Sequence, residues 1–549
     1  MAGLSKLINR FNVVKQIPIF SKLNWLEIHQ IARKSTVAEY RKNEIIAKEG
    51  DPADFFYCLI SGRLQAYTLS SSEKKENIEF IHRGMHFGII SALTGENHSH
   101  NFEAINDSVV LKISKDDFQN ILNSMPHLAI ELSQSLSKRV REQVKGKKNV
   151  YESTIISVYS PVKGTGSTTY AINLALNIQK ETKKKVIFVG IQTKEDLVDP
   201  NLPRWKVPAV VLSEIFGDHD RIVDSIQKDD LPIDLLNITL EPHDGTAGSV
   251  PQDDLIRQIS PFVSSLVGNY NYVVVDLPNN MDDSVFETLT QSDLVHLLST
   301  DRKKDLEVVT SAIDRLESSL KANFREERIK VIIRSIHDKV YLSFEEINSF
   351  IDYNVYMMLP NIQGDDRDGE INSKSIDLEK YHPHSPYVKA VTRIARQVGG
   401  VMVGLVLGGG AALGIAHVGV IRVLEKENIP VDIVVGSSMG ALIGAIWATG
   451  RPADELEVVA RKVEQKSAML KLFDPVVPVS GLIGGRLIKL WLKRHLGNQT
   501  FYGAKIPLKI VSYDLTRREE LVIESGSLVD AVRESIAIPG VLEPVRRDG

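Results

Sequence analysis

The segment Val435-Gly436-Ser437-Ser438-Met439-Gly440-Ala441 sets a serine in the pattern Gly-x-Ser-x-Gly, between the strand-like run Ile433 to Val435 and the helix-like run Ala441 to Thr449. A serine at a tight strand-to-helix turn is held out of the sheet at the positive end of a helix dipole, and small flanking residues let the backbone turn and a substrate approach. Ser438 is the candidate nucleophile, and Gly436 and Gly440 form its elbow. Just upstream, Leu405-Val406-Leu407-Gly408-Gly409-Gly410-Ala411-Ala412-Leu413-Gly414 reads as a second strand, a glycine loop and a helix start. Acyl transfer needs backbone N–H groups aimed at a developing oxyanion, and glycines at a helix N-terminus supply them without side chains in the way. Gly408, Gly409 and Gly410 are the candidate oxyanion loop, and two parallel strands ending in these two loops would bring Ser438 beside Gly409 and Gly410. Read instead as a dinucleotide fingerprint, the loop would put its third glycine on Leu413 and leave the serine elbow unexplained.

With these motifs, and with Ser535-Ile536-Ala537-Ile538-Pro539-Gly540-Val541 further on, residues 403 to 549 resemble a patatin-like phospholipase domain. The resemblance implies a three-layer α/β fold, hydrolysis of acyl esters of phospholipids or lysophospholipids, and a Ser-Asp dyad that uses no histidine, metal or cofactor. The histidine inventory agrees. After Ser438 the only histidine is His495, and His417, in the helix after the glycine loop, reads as packed. Two departures from the family pattern stand out. Its fourth loop glycine is Ala411 here and its arginine is Leu413, which makes the loop stiffer and one positive charge short. The family's general base lies in an Asp-Gly-Gly or Asp-Gly-Ala motif, whereas Asp548-Gly549 follows Ile538 to Val545 so closely that it reads as an earlier hairpin turn. Asp548 is therefore a weak candidate, the catalytic aspartate is expected beyond Gly549, and the chain as it stands is expected to be inactive.

Two further blocks precede this one. In residues 11 to 145, Ile46 to Tyr57, Leu59 to Leu64 and the cassette Gly84 to Thr94 resemble a cyclic-nucleotide-binding domain with jelly-roll strands. Ordinary cyclic-nucleotide recognition needs a glutamate on the ribose and an arginine on the phosphate. Ile89 stands in the glutamate's place and no arginine accompanies His98, Ser99 and His100, so a protein contact or another small-molecule regulator is expected there. In residues 151 to 340, Ser160 to Thr169 and Tyr272 to Pro278 resemble deviant-Walker ATPases. A working P-loop needs a lysine after its last glycine, and that place is Ser167, with Lys163 out of register. Gly166, Thr168 and Asp276 remain nucleotide-binding candidates on a fold expected to serve interaction rather than hydrolysis.

The elements that must position these residues fall into three blocks and a linker. Short strands with glycine turns (Ile45 to Ala47, Phe55 to Ile60, Leu64 to Leu69, Ile78 to Ile81, Val109 to Ile113) and an amphipathic helix from Lys115 past Leu132 and Val140 make a β jelly-roll regulatory block, 11–148. Strands alternating with helices predict an α/β P-loop-like block with a parallel sheet, 151–363, and a polar, turn-rich stretch, 364–386, reads as a linker. The patatin-like α/β block, 387–549, opens with a helix from Tyr387 to Gln397 and ends inside a motif. The whole resembles the architecture of neuropathy target esterases, in which a cyclic-nucleotide-type domain precedes the esterase. A chain of 549 residues with net charge −4, 43% hydrophobic and 25% charged, suits several globular domains and offers no nucleic-acid footprint. A lone cysteine, Cys58, and a polar, basic N-terminus suggest a reducing, cytoplasmic setting. Two charge-free runs, Val398 to Ile421 and Ile433 to Gly450, reach the roughly 20 residues of a membrane span, but the glycines of the first would leave backbone groups unpaired in lipid. Transient contact with a membrane surface, peripheral on its inner face, could run through the basic segment Arg486 to Leu496, whose other reading is a helix packed on the hydrolase core.

Overall fold

The structure is a computed structural model. It describes residues 23–69, 75–133, 153–193, 209–239, 262–320, 328–361, 377–464 and 473–546, apart from short breaks within these spans, together with Val14 and Ile17–Phe20. The chain divides into two compact units, Met1–Ala395 and Arg396–Gly549.

The first unit begins with helix α1 (Trp25–Lys34), started by a capping box between Asn24 and Glu27. Eight strands follow, β1 (Ser35–Tyr40), β2 (Ile45–Ala47), β3 (Phe55–Ser61), β4 (Leu64–Leu69), β5 (Lys75–Ile81), β6 (His86–Phe87), β7 (Asn101–Ala104) and β8 (Ser108–Ser114), with α2 (Ile89–Thr94) between β6 and β7. They form two four-stranded antiparallel sheets, β1-β8-β3-β6 and β2-β7-β4-β5. β3 shows why the layers hold. Side chains alternate across a strand, so Phe56 and Cys58 join one core with α1, while Tyr57 and Leu59 join another with Leu64 and Ile81. Helix α3 (Lys115–Ser124), capped by Ser114, covers the first core; the helical stretch that the periodicity predicts is broken at Met125 and resumes at Pro126. The break falls at Met125 because Pro126 lacks an N–H and its ring disfavours helical geometry in the residue before it. The basic run Arg139 to Lys148 lies outside the described residues.

The remainder of the first unit is an eight-stranded parallel sheet, in the order β11-β12-β10-β13-β9-β14-β15-β16. Its strands are β9 (Thr154–Tyr159), β10 (Val186–Gln192), β11 (Val210–Val211), β12 (Asp234–Thr239), β13 (Tyr272–Asp276), β14 (Leu294–Thr300), β15 (Ile329–Arg334) and β16 (Val355–Leu359). Helices α4 (Ser167–Thr182), α5 (Asp283–Gln291) and α6 (Lys303–Leu320) are crossovers. β10 is buried along its whole length, as a parallel strand covered on both faces must be. The strands that the sequence pattern predicts at Ile155 to Tyr159, Val186 to Gly190, Tyr272 to Val275, Leu294 to Leu298 and Ile329 to Ile333 form, joined by β11, β12 and β16.

Helix α7 (Pro386–Gly399) differs from expectation in its company. Its buried side belongs largely to the first unit, where Thr392 Oγ1 donates to Asn177 Oδ1 at 2.6 Å, and from Arg396 on it belongs to the second. Most of the expected linker lies outside the described residues. Its end is ordered by the parallel-sheet block, with Leu378 N donating to Asn173 Oδ1 at 2.9 Å.

The second unit holds a four-stranded sheet in the order β17 (Gly404–Leu407), β18 (Ile433–Ser437), β19 (Leu508–Asp514), β20 (Glu519–Ile523), parallel except for the last hairpin. Helices α8 (His417–Lys426), α9 (Met439–Ala448), α10 (Ala453–Glu464), α11 (Arg486–Leu496) and α12 (Leu528–Ser535) accompany it. The buried apolar residues of α9 lie on the sheet in one core with Leu407, Val434, Leu508 and Ile510. The two charge-free runs of the sequence are thus strand, loop and helix; among the described residues no helix is long and apolar enough to cross a membrane.

Candidate functional site

The site is built by register. β17 pairs in parallel with β18, Leu407 opposite Gly436, so both strands end at the same level and their loops emerge side by side. Ser438 follows β18 directly and caps α9 with φ +51° and ψ −116°, outside the conformations that a side chain adopts without cost. The turn closes because Gly440 has no side chain: a Cβ there would lie 2.0 Å from the Leu407 carbonyl oxygen. Gly436 is equally constrained, with its would-be Cβ 2.6 Å from Ala441 Cα. Gly409 packs against the serine, since a Cβ on it would come within 3.3 Å of Ser438 Cβ, whereas Gly408 faces open space.

Two residues hold this geometry. Ser535, at the end of α12, accepts the Ser438 amide at 2.8 Å and donates to the Val511 carbonyl at 2.6 Å, tying the elbow to β19. His417 Nε2 lies 2.9 Å from the Gly408 carbonyl oxygen, so this imidazole braces the glycine loop and does not simply pack. Ala411, at the position of the family's fourth glycine, sits at φ +47°, a strained conformation for alanine. The amides of Gly409 and Gly410 meet no acceptor among the described residues, and Ser438 Oγ makes no hydrogen bond there. Donors without acceptors beside an exposed-side hydroxyl suit the stabilisation of negative charge formed at the serine.

Beside the elbow runs an apolar groove lined by Ile415, Val418, Met439, Leu442, Ile446 and Trp491. Met439, Leu442 and Ile446 recur at helical spacing and so form one stripe on α9 that starts next to Ser438. Trp491 comes from α11, whose Leu492 and Leu496 are buried; the basic segment is a helix packed on this core. The His495 ring lies against Trp491 in a tilted contact, with ring centroids 4.4 Å apart. Leu413, in the place of the family's arginine, is 84% exposed. Asp548 lies outside the described residues.

In the jelly-roll block the cassette helix starts at Ile89, which is buried, after Gly88 at φ +72°. Aromatic rings fill the neighbourhood: Tyr57 stacks on Phe87 at 4.7 Å, and Phe102 contacts Phe87 at 4.8 Å and His98 at 5.8 Å. Burial lowers the His98 pKa, so this ring favours its neutral form. Arg63 is 3% exposed, and its Nη2 donates to both carboxylate oxygens of Asp293 in the parallel-sheet block, at 2.8 and 2.9 Å. In that block Gly166 begins α4, and Thr168 Oγ1 donates to Asp276 Oδ2 at 2.8 Å, so these three candidates gather where β9 and β13 end. Sequence reasoning missed Ser535 and Arg63 as positioning residues. Ser535 stood inside a recognised motif, but its partner is 97 residues away.

Comparison with known proteins matches two segments of the chain to family models. Residues 405–549 match the model of patatin-like phospholipases, and residues 37–125 that of the cyclic nucleotide-binding domain. The mouse patatin-like phospholipase domain-containing protein 6 is 23% identical over 520 residues, which are 91% of this chain and 34% of that protein. The neuropathy target esterase sws of Drosophila grimshawi is 32% identical over 170 residues, 31% of this chain and 11% of that protein. This chain therefore spans at most about a third of the length of these curated relatives. Among solved structures, the sensor domain of the transcriptional regulator DNR from Pseudomonas aeruginosa is 21% identical, covering 24% of this chain and 89% of that one, with a TM-score of 0.23. The chain carries a patatin-like phospholipase domain in its second unit and a cyclic-nucleotide-binding-like domain at the front of its first.

Proposed function

We propose that the chain belongs to a serine lipid-acyl hydrolase acting on phospholipids or lysophospholipids, with Ser438 as nucleophile. The observation that carries this reading is the strained Ser438 packed against Gly409, beside two loop amides without acceptors. Ser438 Oγ attacks the ester carbonyl, and the Gly409 and Gly410 amides, with Gly408 leaving room, stabilise the tetrahedral oxyanion. An aspartate takes the serine proton in this scheme, as in the dyad of the family. The apolar stripe from Met439 to Ile446 supports an acyl chain as the group bound beside the serine. The front jelly-roll block acts as a regulatory module that answers to a protein or small-molecule partner, since rings crowd the cassette and Ile89 offers no ribose acceptor. We assign the deviant-Walker resemblance of 151–340 an interaction role, and cytoplasmic residence with transient membrane contact completes the reading.

The test is covalent labelling by a fluorophosphonate, which reports an activated serine. In the complete gene product, wild-type protein is expected to label and Ser438→Ala to remain unlabelled, with lysophospholipid turnover following the same pattern. Equal labelling of the two proteins would remove Ser438 from the mechanism. A folded wild-type protein that neither labels nor turns over lysophospholipid would favour a non-catalytic scaffold.

A further inference from the structure

Ser535 is not the only residue of its helix turn that reaches across the second unit. Two positions earlier on α12 stands Arg533, which is 5% exposed although a guanidinium keeps its charge at every ordinary pH. Residues two apart on a helix do not face the same way, so Ser535 meets the Ser438 amide while Arg533 turns from it toward the start of α11. There one nitrogen, Nη2, donates to two carbonyl oxygens, that of Gly484 at 3.0 Å and that of Glu543 at 2.9 Å. The two acceptors belong to different segments. Gly484 precedes α11, whose first amides are held by Asp474: Oδ1 accepts Gly485 N at 2.9 Å and Oδ2 accepts Arg486 N at 2.8 Å. Glu543 lies on the chain that leaves α12 after Ser535, turns where the Leu542 amide bonds to the Ile538 carbonyl at 2.9 Å, and comes back past the same helix. The two segments also pair with each other, since Ile483 N donates to the Val541 carbonyl and Glu543 N to the Ile483 carbonyl, each at 2.9 Å. The fit is close: a Cβ on Gly481 would lie 2.6 Å from Glu543 N, and one on Gly485, at φ +80°, would run into the Arg533 guanidinium.

Stability alone does not account for this arginine. The last turn of α12 suits a positive charge, but the same charge stands at the N-terminus of α11, where it is opposed. Among the described residues no carboxylate forms an ion pair with it, and Nη1 is buried without a hydrogen-bond partner. Burial disfavours its charge, and Asp474 and Glu543 favour it only from beyond ion-pair distance. A buried charge held by neutral groups is harder to accommodate than an apolar side chain of similar length. What the guanidinium supplies, and a methionine would not, is a fixed spacing between three pieces of chain. They are the turn of α12 that anchors Ser438, the start of the helix that carries Trp491 to the apolar groove, and the returning segment.

We infer that Arg533 is a positioning residue of the serine site: it clamps the returning chain and the start of α11 to α12, and so sets where the residues after Glu543 arrive relative to Ser438. The role in catalysis rests on the serine-hydrolase reading, in which an aspartate after this segment takes the serine proton; the clamp itself does not.

Hydrogen exchange on the full chain tests the clamp without hydrolysis. In Arg533→Met, peptides spanning Leu482–Gly484 and Val541–Glu543 should exchange about tenfold faster or more, the scale of one hydrogen bond to a charged group, while the peptide holding Ser438 keeps its wild-type protection. In the complete gene product, kcat for a lysophospholipid should fall by about tenfold or more in Arg533→Met with KM little changed. The fraction of protein that a fluorophosphonate finally labels should equal that of wild type, which separates this loss from unfolding. Wild-type kcat/KM should level off above the pKa of its base, whereas that of the variant should keep rising with pH as hydroxide replaces a displaced base. Arg533→Lys keeps the charge and reaches one carbonyl, so it should show the same changes at a smaller size, and it carries the test if the methionine variant does not fold. Unchanged exchange in these variants overturns the clamp. Faster exchange with wild-type turnover and pH profile overturns its role at the serine. A wild-type protein without turnover removes that role together with the hydrolase reading, and the exchange result then decides the clamp alone.

Discussion

Ser438 is held in its unusual backbone conformation by contacts rather than by its own preference. Gly440 and Gly436 permit the turn, but the bond from the Ser438 amide to Ser535 Oγ fixes where it ends. Ser535→Ala leaves that amide without its partner and cuts the tie to the Val511 carbonyl. Fluorophosphonate labelling of Ser438 should then slow by about tenfold, the expected scale for one lost hydrogen bond at a partly buried amide. Ser535→Thr keeps the hydroxyl and should restore most of the rate. A Ser535→Ala protein that labels at the wild-type rate would show that β18 and α9 hold the elbow unaided. Chemistry at this scale was readable wherever it lay within a few residues: Gly436, Ser438, Gly440 and the triple glycine stood out because a tight turn demands particular residue types at fixed spacing. Ser535 did not, since its partner lies 97 residues away and only the strand order brings them together.

Between elements, the jelly roll and the parallel sheet meet through a cluster of charges. Lys42 Nζ donates to the Ser292 carbonyl at 3.5 Å, Arg63 pairs with Asp293, and Arg328 donates to the Thr290 carbonyl at 3.2 Å. Burial, then the neighbouring Arg328 and more weakly Arg63, push the Lys42 pKa down to about 7, while Asp293 and Asp107 oppose the shift. Below about pH 7 the folded and unfolded chains both carry the Lys42 proton and the full penalty of the buried ammonium is felt. Above it the folded lysine releases the proton that the unfolded one still holds, so stability rises toward the ordinary lysine range. Denaturant unfolding of the first unit should therefore show stability increasing from about pH 7 to about pH 9, and Lys42→Met should flatten that rise. An unchanged slope in the variant would assign the dependence to other groups. Element types were legible where the pattern was strong, as in β3 and the buried run of β10. β1 and β12 were not: Ser35–Tyr40 and Asp234–Thr239 mix polar and apolar residues, and their strand form depends on pairing with β8 and β10. The end of α3 was missed for a local reason, the proline at 126.

At the scale of the molecule, the chain falls into two compact units, and within the first the jelly roll and the parallel sheet share buried polar contacts. No sequence pattern announces Arg63, which reads as an ordinary turn residue of a jelly roll and yet is buried with Nη1 directed to the Ser153 carbonyl. The division predicts two calorimetric transitions with separable sensitivities. Arg63→Ala leaves Asp293 without the guanidinium nitrogen that binds both its oxygens and should lower the transition of the first unit by about 3 kcal/mol, the scale of breaking an ion pair whose arginine is buried. Gly440→Ala forces a Cβ against the Leu407 carbonyl and should lower the transition of the second unit by about 3 kcal/mol. In the double variant both shifts should appear at their single-variant sizes, because sites with no shared partner add. A single transition moved by either substitution would mean that the two units unfold as one.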